Sequence, residues 1–168
     1  MVIWVTGLSG AGKSTIGRIV WERWRQQAPN TVLVDGDEIR EALGLSSDAY
    51  YYTQEGRLEV ARRICALCEW LDKQQINVVC CTISLFAEIH QRNRKNLSCY
   101  FEVFVDVPID VLKKRDKKGL YSGAEPNVVG VDLSYDAPTT PHMIITNTDN
   151  PEDIDSVAAD VLRGALAQ

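Results

Sequence analysis

Apolar residues fall into two alternating patterns along this chain. Short, nearly continuous apolar runs occupy Val2–Thr6, Thr31–Val34, Ile76–Thr82, Tyr100–Val105 and Met143–Thr146. Such runs suit strands that are buried on both faces. Between them, apolar residues recur at helical spacing. Ile16, Ile19, Val20 and Trp24 share one face of a segment from Thr15 to Gln27. Leu58, Ala61, Ile64, Ala66, Leu67, Trp70 and Leu71 give a broad stripe to a longer segment, Thr53 to Lys73. Further helices are predicted over Glu38–Leu43 and Ala87–Leu97, from Pro108 to Lys114-Arg115, and over Pro151–Ala167. Strand alternating with helix predicts an α/β fold, with a five-stranded parallel sheet covered by helices on both faces. Ile76–Thr82 is the most β-like run and is expected at the centre. The length fits a single domain over residues 1–168.

Two stretches break the pattern. Ser46 to Tyr52 is polar and aromatic and ends in Tyr50-Tyr51-Tyr52. Asp116 to Leu133 mixes glycine, proline and basic residues without periodicity, which suggests a mobile lid over about 116–131.

Composition narrows the function classes. A net charge of -5 argues against a dedicated nucleic-acid binder. No apolar run is long enough to span a membrane, so no membrane partner is expected. The five cysteines are odd in number and include the adjacent pair Cys80-Cys81, which suggests reduced thiols and a cytoplasmic location. Cys65-x-x-Cys68 lies inside a helical pattern and reads as packing rather than as a redox or metal pair.

The chemistry starts at residues 7–14, Gly-Leu-Ser-Gly-Ala-Gly-Lys-Ser, a G-x-x-x-x-G-K-[ST] phosphate loop set between a strand and a helix. Its glycines let the backbone turn tightly and bring N–H groups close to an anion. The helix that follows points its positive end at the same place. Lys13 would reach the β- and γ-phosphates of ATP, and the Ser14 hydroxyl would bind Mg²⁺. The loop opens at residue 7, so no leader peptide is expected before it. Asp35-Gly36-Asp37 follows the second strand, and strand carboxyl ends line the ligand crevice of such sheets. Both carboxylates would then lie near the metal, while Asp37 could equally cap the next helix. Arg57, Arg62 and Arg63 read either as a solvated face or as a clamp on a second phosphate-bearing ligand.

With these residues in view, the chain resembles the adenylylsulfate (APS) kinase family. The resemblance rests on GLSGAGKST, DGDEIR at 35–40, ISLF at 83–86, RDKKGLY at 115–121 and GVDLSYDAP at 130–138, in the family's order. It implies a P-loop NTPase fold of the nucleotide-kinase type, in three layers. It also implies transfer of the ATP γ-phosphate to the ribose 3′-hydroxyl of a small nucleotide, nominally adenylyl sulfate. By the same resemblance Gly7, Ser9, Gly10, Ala11, Gly12, Lys13, Ser14 and Thr15 hold ATP, with Arg115 beside its adenine. Ser14 and Asp35 bind Mg²⁺. Asp35 activates the acceptor hydroxyl, and Lys13 and the lid residue Lys118 act on the phosphates. Asp37, Arg40, Arg57, Ser84, Leu85, Phe86, Lys118, Gly119 and Leu120 meet the acceptor, with Tyr50 and Val128 near its base. Arg62 and Arg63 match the end of the family's N-I-R-R element, and a homodimer is the assembly that the resemblance suggests.

The departures bear on the acceptor. The family stacks the acceptor adenine between two phenylalanines, and this chain has Leu45 and Val128 in their places. The asparagine of N-I-R-R falls on Val60, the proline of I-S-P falls on Leu85, and the lid is shorter. Each lost base–aromatic stack costs about 1–3 kcal/mol. One of the three tyrosines could restore a stack or simply cover the core. Related enzymes of capsular polysaccharide pathways phosphorylate cytidine diphosphoramidate, and a smaller pyrimidine pocket is consistent with losing both rings. Two other readings compete. A kinase of a sugar acid or nucleoside monophosphate is disfavoured by the KGLY and GVDLSYDAP stretches. A nucleotide-binding regulatory module without catalysis is disfavoured by the intact Lys13, Ser14, Asp35 and Lys118. ATP consumption with a panel of acceptors separates the three.

Overall fold

Strands β1 (Val2–Gly7), β2 (Thr31–Asp35), β3 (Asn77–Thr82), β4 (Tyr100–Asp106) and β5 (Met143–Thr146) form one sheet in the order β2-β3-β1-β4-β5. Every neighbouring pair is parallel. The computed structural model describes residues 1–115, 119, 121, 126–146 and 151–168, with 151 and 152 by backbone alone. The central strand is β1, paired with β3 on one side and β4 on the other. The expectation that Ile76–Thr82 holds the centre is therefore corrected. Both strands are almost wholly buried, so hydrophobicity alone could not order them.

The helices are α1 (Lys13–Gln27), α2 (Gly36–Ala42), α3 (Gln54–Lys73), α4 (Ala87–Asn96), α5 (Ile109–Arg115) and α6 (Pro151–Leu166). A 3₁₀ turn, Ala49–Tyr52, precedes α3. Thr53 caps α3 by accepting the Gly56 N–H at 3.1 Å. The sheet's side chains alternate between two apolar cores. Ile3, Val5, Val79 and Val103 pack with Ile16, Val20 and Trp24 of α1 and with Ala158 and Val161 of α6. Val2, Trp4, Val78 and Cys80 pack with Val60, Ile64, Cys65 and Cys68 of α3 and with Ile89 of α4. The period-two alternation of strands thus matches one helix layer to each face. Four cysteines belong to these cores, and burial pushes the Cys65 and Cys81 thiols up to about 12.

Close approach of α1 to the sheet depends on Gly17, where an added Cβ would stand 2.0 Å from Cys81 Sγ. Behind β4 lies a buried charge cluster. Glu102, with no exposure, accepts from Tyr100 Oη at 2.8 Å and meets His90 Nδ1 at 2.7 Å and the Arg94 guanidinium. Arg94 also donates to the Thr140 carbonyl at 2.5 Å, and the Glu102 N–H donates to His142 Nδ1 at 2.9 Å. These contacts pin the segment leading into β5. None of the described helices is long and apolar enough to cross a membrane.

Candidate active site

A cleft of about 590 Å³ opens at the carboxyl ends of β2 and β3, beside the loop that follows β1. Ser9, Gly10, Gly12, Lys13, Ser14 and Thr15 line it. Gly10 (φ 76°) and Gly12 (φ 101°) have left-handed backbones that side chains disfavour, and Gly12 caps α1. This is why α1 begins at Lys13, two residues before the predicted start. Gly7 and Ala11 support the loop from behind. A Cβ on Gly7 would stand 2.5 Å from the Val105 carbonyl, and Ala11 is buried. Lys13 Nζ donates to the Leu8 carbonyl at 2.8 Å. Tyr121, from the KGLY stretch, donates its hydroxyl to the Ser9 carbonyl at 2.8 Å.

Ser14 Oγ donates to Asp35 Oδ2 at 2.5 Å. Asp35 is buried at the end of β2, and its Oδ1 accepts the Asp37 N–H at 2.9 Å. Asp35, not Asp37, is therefore the cap of α2, because that helix begins at Gly36. Asp37 is exposed on the cleft wall. A serine hydroxyl and a carboxylate meeting beside a phosphate loop form a hard-oxygen donor set of the kind that Mg²⁺ prefers.

The same cleft is lined by Arg40 and Arg57. Arg40 donates to the Tyr51 carbonyl at 2.9 Å. Arg57 donates to the carbonyls of Tyr52 at 2.9 Å and Asn127 at 3.0 Å. Burial pushes both guanidinium pKa values down, and the Arg40 charge lowers that of Arg57 further. Ser84, Leu85 and Phe86 close the end beyond β3, with Ser84 Oγ 2.7 Å from Thr82 Oγ1. Val60, Ile64, Val128 and Val129 supply an apolar wall.

Several predicted residues sit elsewhere. Tyr50 is not in the cleft. Its ring packs edge-on against Tyr51 and its hydroxyl donates to Glu59 at 3.2 Å, because the 3₁₀ turn sends it outward. Tyr52 borders the cleft instead. Leu45 is buried in the core under α3. Arg62 and Arg63 lie on the exposed face, paired with Glu88 and Glu59. Arg115 ends α5, outside the cleft lining, and Gly119 has φ 65°. Lys118 and Leu120 lie outside the described residues, as does much of the predicted lid. Ser46, Gln54 and Ser134, none of them a predicted site residue, also border the cleft. Ser134 belongs to the GVDLSYDAP stretch, which gave a usable signal, whereas nothing in the sequence marks Gln54.

The adenylylsulphate kinase family model matches residues 1–146. The chain belongs to the adenylylsulphate kinase family. It is an ATP-dependent phosphotransferase with an alcohol group as acceptor, built on the α/β fold of P-loop kinases. It is 39% identical over 151 residues to the cytidine diphosphoramidate kinase of Campylobacter jejuni, covering 88% of this chain and 86% of that one. It is 39% identical over 158 residues to the adenylyl-sulfate kinase of Pseudomonas aeruginosa, covering 90% and 79%. The APS kinase CysC of Mycobacterium tuberculosis, solved in complex with AMPPNP and APS, superposes with a TM-score of 0.82 at 30% identity, over 99% of this chain and 97% of that one. Within the family's fold, the phosphate loop and the two arginines line one cleft.

Proposed function

We propose that this family member transfers the ATP γ-phosphate to the ribose 3′-hydroxyl of a small nucleotide. The observation that carries the reading is a phosphate loop and a pair of arginines lining one cleft. Lys13, Arg40 and Arg57 all border it, as does the buried Asp35. The loop would hold the donor phosphates, and the arginines would hold the charged group of the acceptor. Asp35, fixed by Ser14 and the Asp37 N–H, would orient the hydroxyl and take its proton. Lys13 and the loop N–H groups would spread the charge that develops in transfer, with Lys118 completing the set from the lid. Ser14 and Asp35 would hold Mg²⁺, which when bound neutralises charge on the transferring group.

Adenylyl sulfate is the family's nominal acceptor. One specific observation favours cytidine diphosphoramidate. Val60, Ile64 and Val128 line the cleft where the base would lie, Leu45 is turned into the core, and the aromatic residues of the described lining are Tyr52, which is engaged by Arg40 and Arg57, and Phe86 beyond β3. A panel of adenylyl sulfate, cytidine diphosphoramidate and simple nucleoside mono- and diphosphates, compared by kcat/KM, tests both levels. The expected order places cytidine diphosphoramidate first. ATP binding without turnover of any acceptor would instead favour a regulatory module.

A further inference from the structure

Of three consecutive tyrosines, Tyr52 alone borders the cleft, and its ring is already engaged. The Arg40 guanidinium carbon lies 5.2 Å from the ring centroid and that of Arg57 lies 5.5 Å from it. Both are within the range at which a ring quadrupole attracts a cation. The hydrogen bonds that hold the two guanidinium groups run to the neutral carbonyls of Tyr51, Tyr52 and Asn127, and the Asp37 carboxylate on the same cleft offsets part of their combined charge. Two half-buried like charges repel each other, and the ring offsets part of that cost. Its hydroxyl makes a long contact, 3.5 Å, with the Ser46 carbonyl.

We infer that Tyr52 is a positioning residue that holds Arg40 and Arg57 together, ready for the paired anionic groups of an anhydride-linked acceptor. The inference rests on the proposed function. It differs from a base-stacking role, because the partners over the ring are guanidinium groups and base recognition is left to Val60, Ile64 and Val128. An acceptor with two linked charged groups, phosphoryl–sulfuryl or diphosphoryl in type, matches a pair of cations better than one with a single phosphate. The shape of the ring, not its hydroxyl, carries the effect.

The test compares Tyr52→Leu with Tyr52→Phe. In the Leu variant the KM for either acceptor nucleotide should rise roughly threefold to thirtyfold, the range of a cation–π contact. The KM for ATP and the ratio of kcat/KM between cytidine and adenine acceptors should stay as in the wild type. Tyr52→Phe should behave as the wild type. Calorimetry with inorganic pyrophosphate, the phosphate loop being filled with AMPPNP, should show the same loss in the Leu variant and its rescue by Phe. This second readout needs no turnover, so it separates failure of the inference from failure of the proposed function. Thermal melts verify folding, and Tyr52→Gln repeats the test should the Leu variant not fold. Unchanged pyrophosphate affinity in the ringless variant would overturn the inference. So would equal damage from Phe and Leu, or an altered base preference with intact anion binding.

Discussion

Ser14 and Asp35 share a hydrogen bond of 2.5 Å although the strands that lead to them are not neighbours. Between β1 and β2 lies β3. The bond therefore reaches across the end of a strand and joins the phosphate loop to the cap of α2. A loop that would receive one substrate is tied in this way to a carboxylate that would receive the other.

The first prediction concerns that carboxylate. Asp35→Ala should lower kcat by about 10²–10⁴-fold, the usual share of a general base. It should also cost about 1 kcal/mol in stability, because the same side chain caps α2. Lys13→Ala should remove most turnover with little change in melting temperature. Steady-state kinetics beside thermal melts check the pair, and near-normal turnover in Asp35→Ala would remove the base assignment.

Acceptor choice should respond to Val128. Val128→Phe places an aromatic face on the cleft wall, and a base stack is worth about 1–3 kcal/mol. The ratio of kcat/KM for adenylyl sulfate over cytidine diphosphoramidate should rise about tenfold or more. An unchanged ratio would show that the base binds elsewhere.

Packing of α1 gives a stability prediction. Gly17→Ala drives a methyl into Cys81 Sγ, and overpacking of this kind costs about 1–3 kcal/mol. Cys81→Ala removes the clashing atom, so the double variant should recover most of the loss. Denaturant melts of all four proteins measure the coupling. Additive losses would place the strain at another contact.

Stability should fall with acid in two steps. Burial, aided by the Arg94 charge, holds the His142 imidazole below its ordinary pKa, and its Nδ1 accepts a backbone N–H. Burial raises the Glu102 carboxyl, but hydrogen bonds from His90 and Tyr100 together with the charges of His90 and Arg94 bring it below its ordinary value. Asp72 is likewise raised by burial and lowered more by the Ser98 N–H and hydroxyl and the N-terminal ammonium. All three groups bind a proton more weakly folded than unfolded, so stability is lost as pH falls. The histidine step should begin below about pH 6.5 and the carboxylate step below about pH 4. Urea melts between these limits should show the first step vanish in His142→Asn and the second shrink in Glu102→Gln. Unaltered pH slopes in both variants would contradict these assignments.

Among the described residues, the strands were legible as continuous apolar runs and the longer helices as apolar stripes, and Met143–Thr146 matches its predicted bounds. Boundaries moved where a side chain outside the periodic pattern decides them, as Gly12 does for α1 and Asp35 for α2. Strand order was not legible, because β1 and β3 are equally apolar. Among the three tyrosines, local sequence could not choose. The 3₁₀ turn rotates Tyr50 to solvent, where it meets Glu59, and Tyr52 to the cleft beside Arg40 and Arg57, and these partners are distant in sequence. Leu45 looked like part of a base site by position, yet the turn after α2 carries it into the core.

The two apolar cores share no residue. The helix behind the phosphate loop is rooted in one of them, and the helix that presents Arg57 and Val60 is rooted in the other. Under the proposed function, substitutions in the second core beneath α3 would shift Arg57 and Val60 while leaving the packing of α1 behind the phosphate loop in place.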